Sequence, residues 1–479
     1  MKQVRAFTRK IAVFLAATGI GCAAAAQSAH AERLAIIGAV LIDGTGRAPV
    51  PESVVYVADG KIERIGRVGD AIPAGTRRIE ARGKFIIPGI VDAHTHVDSL
   101  GVAPMTNEQK KIAREYYPRA FLFNGVTSVV NMSAHVPAEV LALRDRANTD
   151  PKALVPRIYT GASHFTADQG WGGRHNGGIK SPDDINNRMD DYAARGFDLV
   201  KIIDEDGLGD ETVFPKIAPE YLNAVMRAAA GKDLPVFIHA TDADEYREAI
   251  AAGPRAIAHG LFTPLTADSD IVADLKQKNI FVVPTIVLFE SFFVFLDNPA
   301  LLNDPLLNQS VPDFIMAAAR NPETIKTMRG RMDEILKMDA AAWARDSLPA
   351  LLANTRILFE QGVKVAIGTD SGGAVMHAFQ GYNTPREIEI MADCCMTPMQ
   401  AIVAATRTGA EVIDGQAIFG TLEPGKSADL LLLNGDPLAD IHNIRDFDWM
   451  MLRGHMIERS TLSYSSYVSE RQDGTPALP

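Results

Sequence analysis

The centre of the chain, from about residue 84 to residue 415, alternates short apolar runs with longer amphipathic segments. The runs predicted to be strands are 126–130, 199–203, 236–239, 256–259, 280–283 and 363–367. Segments of helical length separate most of these runs, which is typical of parallel α/β proteins. The length of the region suits an eight-stranded (β/α)8 barrel. The sequence therefore predicts an α/β fold built around such a barrel.

Both ends of the chain contain strand-like segments that Gly, Pro and Asp turns separate. The N-terminal candidates are 35–43, 53–57 and 61–65, and the C-terminal candidates are 430–433 and 449–452. We expect residues 32–83 and 416–479 to pair into one small composite β-sandwich-like domain that flanks the central domain, residues 84–415.

One stretch, residues 289–362, is too long for a single barrel unit. Asn321 and Pro322 open a predicted helix whose apolar residues recur at helical spacing. We predict a helical insertion on the C-terminal side of the barrel, where it could form a lid or an interface. The four phenylalanines at 289, 292, 293 and 295 could line an apolar pocket, but we favour the core of the insertion.

The first 31 residues are predicted to be an export signal. Lys2, Arg5, Arg9 and Lys10 precede the apolar stretch 11–26, and residues 29–31 fit a small-residue cleavage site. The apolar stretch is shorter than the roughly 20 residues that a membrane span needs. We therefore expect export to the periplasm or the medium, cleavage near Ala31 and no stable membrane insertion.

The charge of the chain disfavours nucleic acid as a partner. There are 48 basic and 59 acidic residues, and loss of a signal with four basic residues would shift the net charge from −11 to −15. No basic patch is visible. Cys394 and Cys395 are adjacent on a predicted helix, so we expect them to be poor partners for a disulfide. The oligomeric state is left open, a homo-oligomer included.

His94 and His96 stand just beyond the apolar run 85–91. Residues i and i+2 of a strand point to the same side, so both imidazoles could bind one metal ion. The end of a barrel strand is also where such enzymes place their chemistry. Taken alone, the pair could equally be two surface or packed histidines.

Four further residues occupy comparable places at strand ends or within strands: Lys201, His239, His259 and Asp370. Histidine is the commonest neutral metal ligand, and a carboxylate beside a metal can also accept a proton from water. Burial would lower the pKa of Lys201 and let its neutral amine capture carbon dioxide as a carbamate that bridges two cations. The alternative is an ion pair between Lys201 and one of the next acidic residues, at 204–206.

These segments resemble the amidohydrolase superfamily over essentially the whole mature chain. The matching segments are 88–96, 200–203, 239–241, 257–260, 367–371 and the tail 420–430. The chain is most similar to the imidazolonepropionase-related branch, which contains prolidase-like Xaa-Pro and Xaa-Arg/Lys dipeptidases and N-acyl amino acid hydrolases. The resemblance implies a distorted TIM barrel, two divalent metal ions, usually Zn²⁺, and a lysine carboxylated at N6.

The resemblance also implies a role for each ligand. His94, His96 and Asp370 would hold the more buried metal, His239 and His259 would hold the more exposed one, and carboxylated Lys201 would bridge the two. Single-metal deaminases and imidazolonepropionase itself generally lack this lysine.

The chain departs from the branch directly after Lys201, where Asp204, Glu205 and Asp206 replace small residues. These charges could favour a cationic substrate group, but we favour a solvated loop.

The predicted reaction is hydrolysis of the amide or peptide bond of a dipeptide or an N-acyl amino acid. A hydroxide that bridges the metals would attack the carbonyl, and Asp370 would move the proton to the leaving amine. A lactonase or phosphotriesterase could use the same site. A non-catalytic barrel scaffold is a further alternative, which the complete ligand set disfavours.

Candidates for substrate contacts lie in the loops that follow the strands. They are Tyr159, His164, Arg174, His175 and His377. Arg174 and His175 belong to the glycine-rich segment 171–178, where an arginine could bind a substrate carboxylate or lie in an ordinary surface loop. His377 could polarise the substrate or cap the helix that follows it.

Overall fold

The computed structural model describes residues 33–101, 103–172, 177–208, 213–373 and 377–473. The predicted signal, and the candidates Arg174 and His175, lie outside these ranges. Across the described ranges, none of the helices has the length and apolar character needed to cross a bilayer.

Short strands and helices follow one another along the chain. The strands are β1 (Leu34–Leu41), β2 (Val50–Ala58), β3 (Lys61–Arg67), β4 (Arg77–Glu80), β5 (Phe85–Pro88), β6 (Ile90–Thr95), β7 (Val126–Asn131), β8 (Arg157–Thr160), β9 (Val200–Ile203), β10 (Val236–His239), β11 (Ala256–Ala258), β12 (Phe281–Val283), β13 (Leu430–Leu433), β14 (Phe447–Leu452) and β15 (His455–Glu458). The α-helices are α1 (Asn107–Phe123), α2 (Pro137–Thr149), α3 (Pro182–Arg195), α4 (Pro219–Ala230), α5 (Ala243–Ala252), α6 (Asp270–Lys278), α7 (Ile286–Ser291), α8 (Val294–Asp297), α9 (Pro305–Ser310), α10 (Asp313–Arg320), α11 (Pro322–Leu336), α12 (Ala340–Glu360), α13 (Asn383–Cys394), α14 (Pro398–Val403), α15 (Gly409–Val412) and α16 (Tyr464–Gln472).

One sheet takes its strands from both ends of the chain. Its order is β15-β14-β13-β5-β1-β2-β3, and β4 pairs with β1. The junction between the two ends is the antiparallel pair β5–β13, in which Phe85 faces Leu433 and Pro88 faces Leu430. Strand β5 falls inside the range predicted for the central domain, so the chain passes from one sheet to the other after residue 88 rather than at residue 84.

The parallel strands have a TIM-like α/β arrangement. They form a sheet β6-β7-β8 and a sheet β12-β11-β10-β9 rather than the single eight-stranded barrel that the sequence predicts. Isolated parallel bridges connect the sheets: Gly161–Leu199 directly, and Val282–Val365 and Thr95–Ser371 through the segment 363–371. The predicted strand 363–367 is not a regular strand, because it pairs with its neighbours only through such single bridges and scattered backbone hydrogen bonds.

Helices α7–α12 fill the chain between β12 and residue 360. Helix α11 begins as its sequence predicts, because the Asn321 side chain accepts a hydrogen bond from the Thr324 amide and Pro322 follows. Phe289 and Phe295 are buried in two different apolar clusters, which fits the interpretation as core. Phe292 and Phe293 are only partly buried.

The expectation for the two cysteines is wrong, since Cys394 and Cys395 form a disulfide. Cys394 is the last residue of α13, whereas Cys395 has left the helix, with φ −139° and ψ −24°. Neighbouring side chains in a continuous helix would point about 100° apart around its axis. The helix ends between the two residues, so this constraint does not apply.

Candidate metal centre

The predicted ligands gather at the carboxyl ends of the parallel strands. His94 lies in β6 and His96 directly after it, while Asp370 lies in the segment 363–371, directly before Ser371, which bridges to Thr95 of β6. Lys201 lies in β9, His239 ends β10 and His259 follows β11. Because β9, β10 and β11 are parallel neighbours, their carboxyl ends meet at one edge of the sheet.

Asp370 is in direct contact with the two histidines of the β6 end. Its Oδ1 lies 3.3 Å from Nε2 of His94 and 2.9 Å from Nε2 of His96. One ligand atom from each of the three residues lies within 4.8 Å of the others. Three nitrogen and oxygen donors so arranged could hold one divalent cation.

The backbone brings Asp370 to this position. The amides of Thr369 and Asp370 both donate to the carbonyl of His94, at 3.0 and 2.7 Å. Gly368 permits this close approach, because a Cβ there would lie 2.8 Å from the Cβ of His94. Asp370 itself has φ +51°, in a region that L-residues rarely adopt.

His239 and His259 continue the cluster from His94. The ring centroid of His259 lies 4.1 Å from that of His239 and 4.8 Å from that of His94. His259, like Asp370, has a positive φ, of 75°. Strained residues of this kind are enriched at functional sites, where the surrounding structure holds them in place.

Lys201 is the buried amine of the cluster, with 4% of its surface exposed. Its Nζ has no hydrogen-bond partner among the described residues, so the ion pair with residues 204–206 is absent. Burial lowers the pKa of Lys201 to about 7, although the charge of Asp370 opposes the shift. A large fraction of the amine is therefore neutral near pH 7.

His94, His239 and Asp370 have the protonation states that metal ligands need. Burial is the main cause that lowers the pKa of His94 and of His239 to about 3, so both imidazoles are neutral. Burial raises the pKa of Asp370, but His94 and His96 outweigh this effect and hold it well below the usual value. For His96, burial lowers the pKa and the contact with Asp370 raises it above the usual value.

The side chains of the cluster are suited to binding divalent metal ions. Three buried polar atoms in it lack a hydrogen-bond partner: Nζ of Lys201, Nδ1 of His94 and Oδ1 of Asp370. Oδ1 of Asp370 lies close to two ring nitrogens without a well-formed hydrogen bond, as expected for atoms that share an ion. Neutral imidazoles together with a carboxylate are common zinc ligands.

Several residues that support the ligands were missed from the sequence. The outer ring nitrogens of the histidines contact Glu205, Thr285 and the carbonyl of Ser133. Asp92 is fully buried and accepts from the His94 amide and the Thr369 hydroxyl, so it ties β6 to the segment before Asp370. Burial raises the pKa of Asp92 to about 6. Asp92 could have been identified from the sequence, because it stands two residues before His94, directly after the apolar run 85–91.

The interpretation of residues 204–206 as a solvated loop is wrong for Asp204 and Glu205, whereas Asp206 is half-buried. Asp204 is 0% exposed and Glu205 is 3% exposed. Glu205 is buried because His239 and Thr241, after the neighbouring strand, supply contacts to its carboxylate. Such a partner is 34 residues away in sequence and is not visible in the local charge pattern.

Among the predicted substrate contacts that fall within the described residues, His164 is the one placed near the centre. Burial lowers its pKa to about 3, and the charges of His96 and Lys201 contribute smaller shifts in the same direction. His135, which sequence reasoning missed, also lies beside the cluster, with its ring 5.9 Å from that of His96. It follows β7, and the strand-end pattern could have identified it.

Tyr159 and His377 are not brought to the cluster by their described contacts. The ring of Tyr159 packs 6.1 Å from that of Phe419, against a cluster of buried apolar residues. His377 is buried with its ring 4.8 Å from that of Phe295, in the helical insertion. It does not cap α13, whose N-terminal Tyr382 makes no side-chain cap.

Residues 85–455 match the amidohydrolase family, and this range contains all six candidate ligands. A stretch of 134 residues is 30% identical to the imidazolonepropionase of Stenotrophomonas maltophilia, and it covers 28% of this chain and 32% of that protein. The chain thus spans about a third of that relative. The imidazolonepropionase of Deinococcus radiodurans is 24% identical over 396 residues, which cover 82% of this chain and 88% of that protein.

A solved structure extends the comparison. The crystal structure of a Xaa-Pro dipeptidase with methionine bound in its active site has a TM-score of 0.71 and 22% identity. The superposition covers 89% of this chain and 100% of the dipeptidase chain. At this identity the likeness shows the fold alone.

Proposed function

The chain belongs to the amidohydrolase family, and we propose that it is a hydrolase of C–N bonds that cleaves the amide or peptide bond of a dipeptide or an N-acyl amino acid. The observation that carries the proposal is the proximity of the donor residues. Asp370 contacts His94 and His96, and the ring of His259 lies against those of His94 and His239. The buried amine of Lys201 interacts with the charge of Asp370. The dipeptide substrate is proposed by analogy with the Xaa-Pro dipeptidase that shares this fold. The complete set of candidate ligands disfavours the non-catalytic scaffold considered above.

The family is generally metal-dependent, and we propose two divalent ions, Zn²⁺ in the native enzyme. His94, His96 and Asp370 would hold one ion, and His239 and His259 the other. Lys201, carboxylated at N6, would lie between them, which its buried and partly neutral amine supports. Bound cations of this kind polarise a carbonyl and lower the pKa of water.

Asp370 is the proposed proton carrier. Its carboxylate is ionised at neutral pH, because His94 and His96 hold its pKa well below the usual value. It can accept a proton from the attacking water and then donate that proton to the leaving nitrogen. Water thus adds across the C–N bond, and the products are an acid and an amine.

The arrangement of the chain around this site is also a proposal. We propose that the two parallel sheets close into one distorted TIM barrel, which the three bridges between them support. Residues 32–83 and 416–479 would form the composite β-domain, as the shared eight-stranded sheet suggests. We further propose export with cleavage near Ala31, a small-molecule substrate and no nucleic-acid partner.

The experiment that tests the proposed function is a hydrolysis profile of purified, zinc-loaded protein in bicarbonate buffer. The substrates are a dipeptide library, N-acyl amino acids, a lactone series and an aryl phosphotriester. We expect turnover in the first two classes, and its near loss in Asp370→Asn. Preferred turnover of lactones or phosphotriesters would contradict the substrate class, and equal turnover by Asp370→Asn would contradict the proton-carrier role.

A further inference from the structure

In three of the candidate ligand histidines, one ring nitrogen contacts an oxygen atom of a neighbouring residue. The chemical type of that oxygen differs for one of the three. Nδ1 of His259 lies 2.8 Å from the Thr285 hydroxyl, and Nδ1 of His96 lies 3.4 Å from the Ser133 carbonyl. For His239 the partner is a carboxylate: its Nε2 lies 2.8 Å from Oε2 of Glu205. A carboxylate is a stronger acceptor than a hydroxyl or a carbonyl.

Both carboxylate oxygens of Glu205 accept hydrogen bonds from described residues. The Thr241 hydroxyl donates to its Oε2 at 3.0 Å, and the Gly207 amide donates to its Oε1 at 2.7 Å. A second buried carboxylate, Glu245, accepts from the amides of Thr241 and Asp206 at 2.6 and 3.2 Å. This network holds the Glu205 carboxylate against the ring of His239.

The oxygens of Glu205, Asp206 and Glu245 lie close enough together to raise the question of a third cation. The buried oxygens of Glu205 and Glu245 already accept hydrogen bonds from amides and from Thr241. The protein's own donors therefore account for these carboxylates. If Glu205 orients the ring of His239, the contact between the two residues is explained. A separate cation site would not explain that contact.

The chemistry of a metal-bound histidine explains what such a contact does. An imidazole that binds a metal through one nitrogen carries its proton on the other, and the acceptor of that proton fixes the tautomer and the ring orientation. A carboxylate acceptor also makes the ring a better electron donor to the metal. With Nε2 of His239 turned to Glu205, Nδ1 is the nitrogen that remains for an ion.

We propose that Glu205 is a positioning residue that sets the Nδ1 ligand of His239 and strengthens the metal position that His239 shares with His259. The inference rests on the proposed function, since it needs the second metal position. It gives the acidic segment after Lys201, where this chain departs from the branch that it resembles, a role in the metal centre rather than in the substrate pocket. Its direct consequence is selective: only one of the two ions depends on Glu205.

The test measures zinc binding against a series of chelator-buffered free zinc concentrations in the full-length protein. The variants are Glu205→Gln, which keeps the shape and a neutral acceptor, and Glu205→Ala, which removes both. We expect the dissociation constant of one zinc equivalent to rise by about 10- to 100-fold, more in Ala than in Gln, while the other equivalent is unchanged. Glu389→Gln is the matched control, because Glu389 is also 3% exposed but pairs with Arg445.

The possible results separate the two proposals. If the wild-type protein binds fewer than two zinc equivalents, the binuclear function fails and this inference fails with it. If the wild type binds two and both Glu205 variants keep wild-type affinity for each, only the role of Glu205 is refuted. Equal weakening of both equivalents would also overturn the selective role. Should Glu205→Ala not fold, the isosteric Gln variant decides between these outcomes.

Discussion

Replacing Lys201 by Met should stabilise the metal-free protein at neutral pH. In the folded state burial lowers the pKa of Lys201 to about 7, whereas an exposed lysine in the unfolded chain has its usual value near 10.5. Between these two values the unfolded state binds a proton that the folded state does not bind. The wild-type protein therefore gains stability as the pH rises from 7 toward 10.5. Met has a similar length and carries no charge.

The magnitude follows from the two pKa values. At pH 7 the buried amine costs about 4 kcal/mol of folding free energy relative to an apolar residue, and at pH 9 it costs roughly 2 kcal/mol. The stability advantage of Lys201→Met should therefore shrink by roughly 2 kcal/mol across this range. With zinc and bicarbonate present the order should reverse, because only the wild type can form the bridging ligand.

The assay is urea unfolding of metal-free protein at pH 7, 8 and 9, in buffers free of carbon dioxide. Lys364→Met is the control, because the Lys364 side chain is 44% exposed and its loss should show no comparable trend. A difference between Lys201→Met and wild type that does not change with pH would refute the reasoning. So would a metal-free variant that is less stable than wild type at pH 7.

Three further changes test other parts of the centre. Asp370→Asn should lower kcat by about 10²- to 10⁴-fold while the protein keeps most of its metal, as elemental analysis and steady-state kinetics would show; wild-type kcat would contradict this. Gly368→Ala places a Cβ 2.4 Å from Val283 and 2.8 Å from His94. We expect the free energy of unfolding to fall by about 1–3 kcal/mol, measured by thermal unfolding. An unchanged melting temperature would contradict the tight packing at this position. Thr285→Val removes the acceptor for Nδ1 of His259 and should weaken zinc binding by about 10- to 100-fold in chelator competition; unchanged affinity would show that this contact is dispensable.

The positions of the candidate ligand residues could be predicted because their signal is local. His94 and His96 are two residues apart beside an apolar run, and the other ligands stand at the ends of runs or within them, so strand alternation and parallel topology were enough to bring them together. The strand β8 was not predicted, because it is short and two of its four residues are only half-buried. The division of the run 85–91 between two sheets was not visible either, because the run reads as one strand.

What could not be predicted depends on contacts between distant parts of the chain. Glu205 looks like a solvated charge until the neighbouring strand brings His239 to it. Tyr159 lies within β8 rather than after it, and its side chain packs against Phe419 from a remote segment. His377 packs against Phe295 because the insertion folds back over it, which its spacing from Asp370 does not reveal.

The most direct test of the metal centre is X-ray diffraction from crystals of the zinc-loaded protein at the zinc absorption edge. We expect two anomalous peaks, one about 2.0–2.2 Å from Nε2 of His94 and of His96 and from Asp370, and one at similar distances from His239 and His259. Electron density for a carboxylate should extend from Nζ of Lys201 to both ions. No peak among these residues, or a single peak with an unmodified lysine, would contradict the binuclear centre.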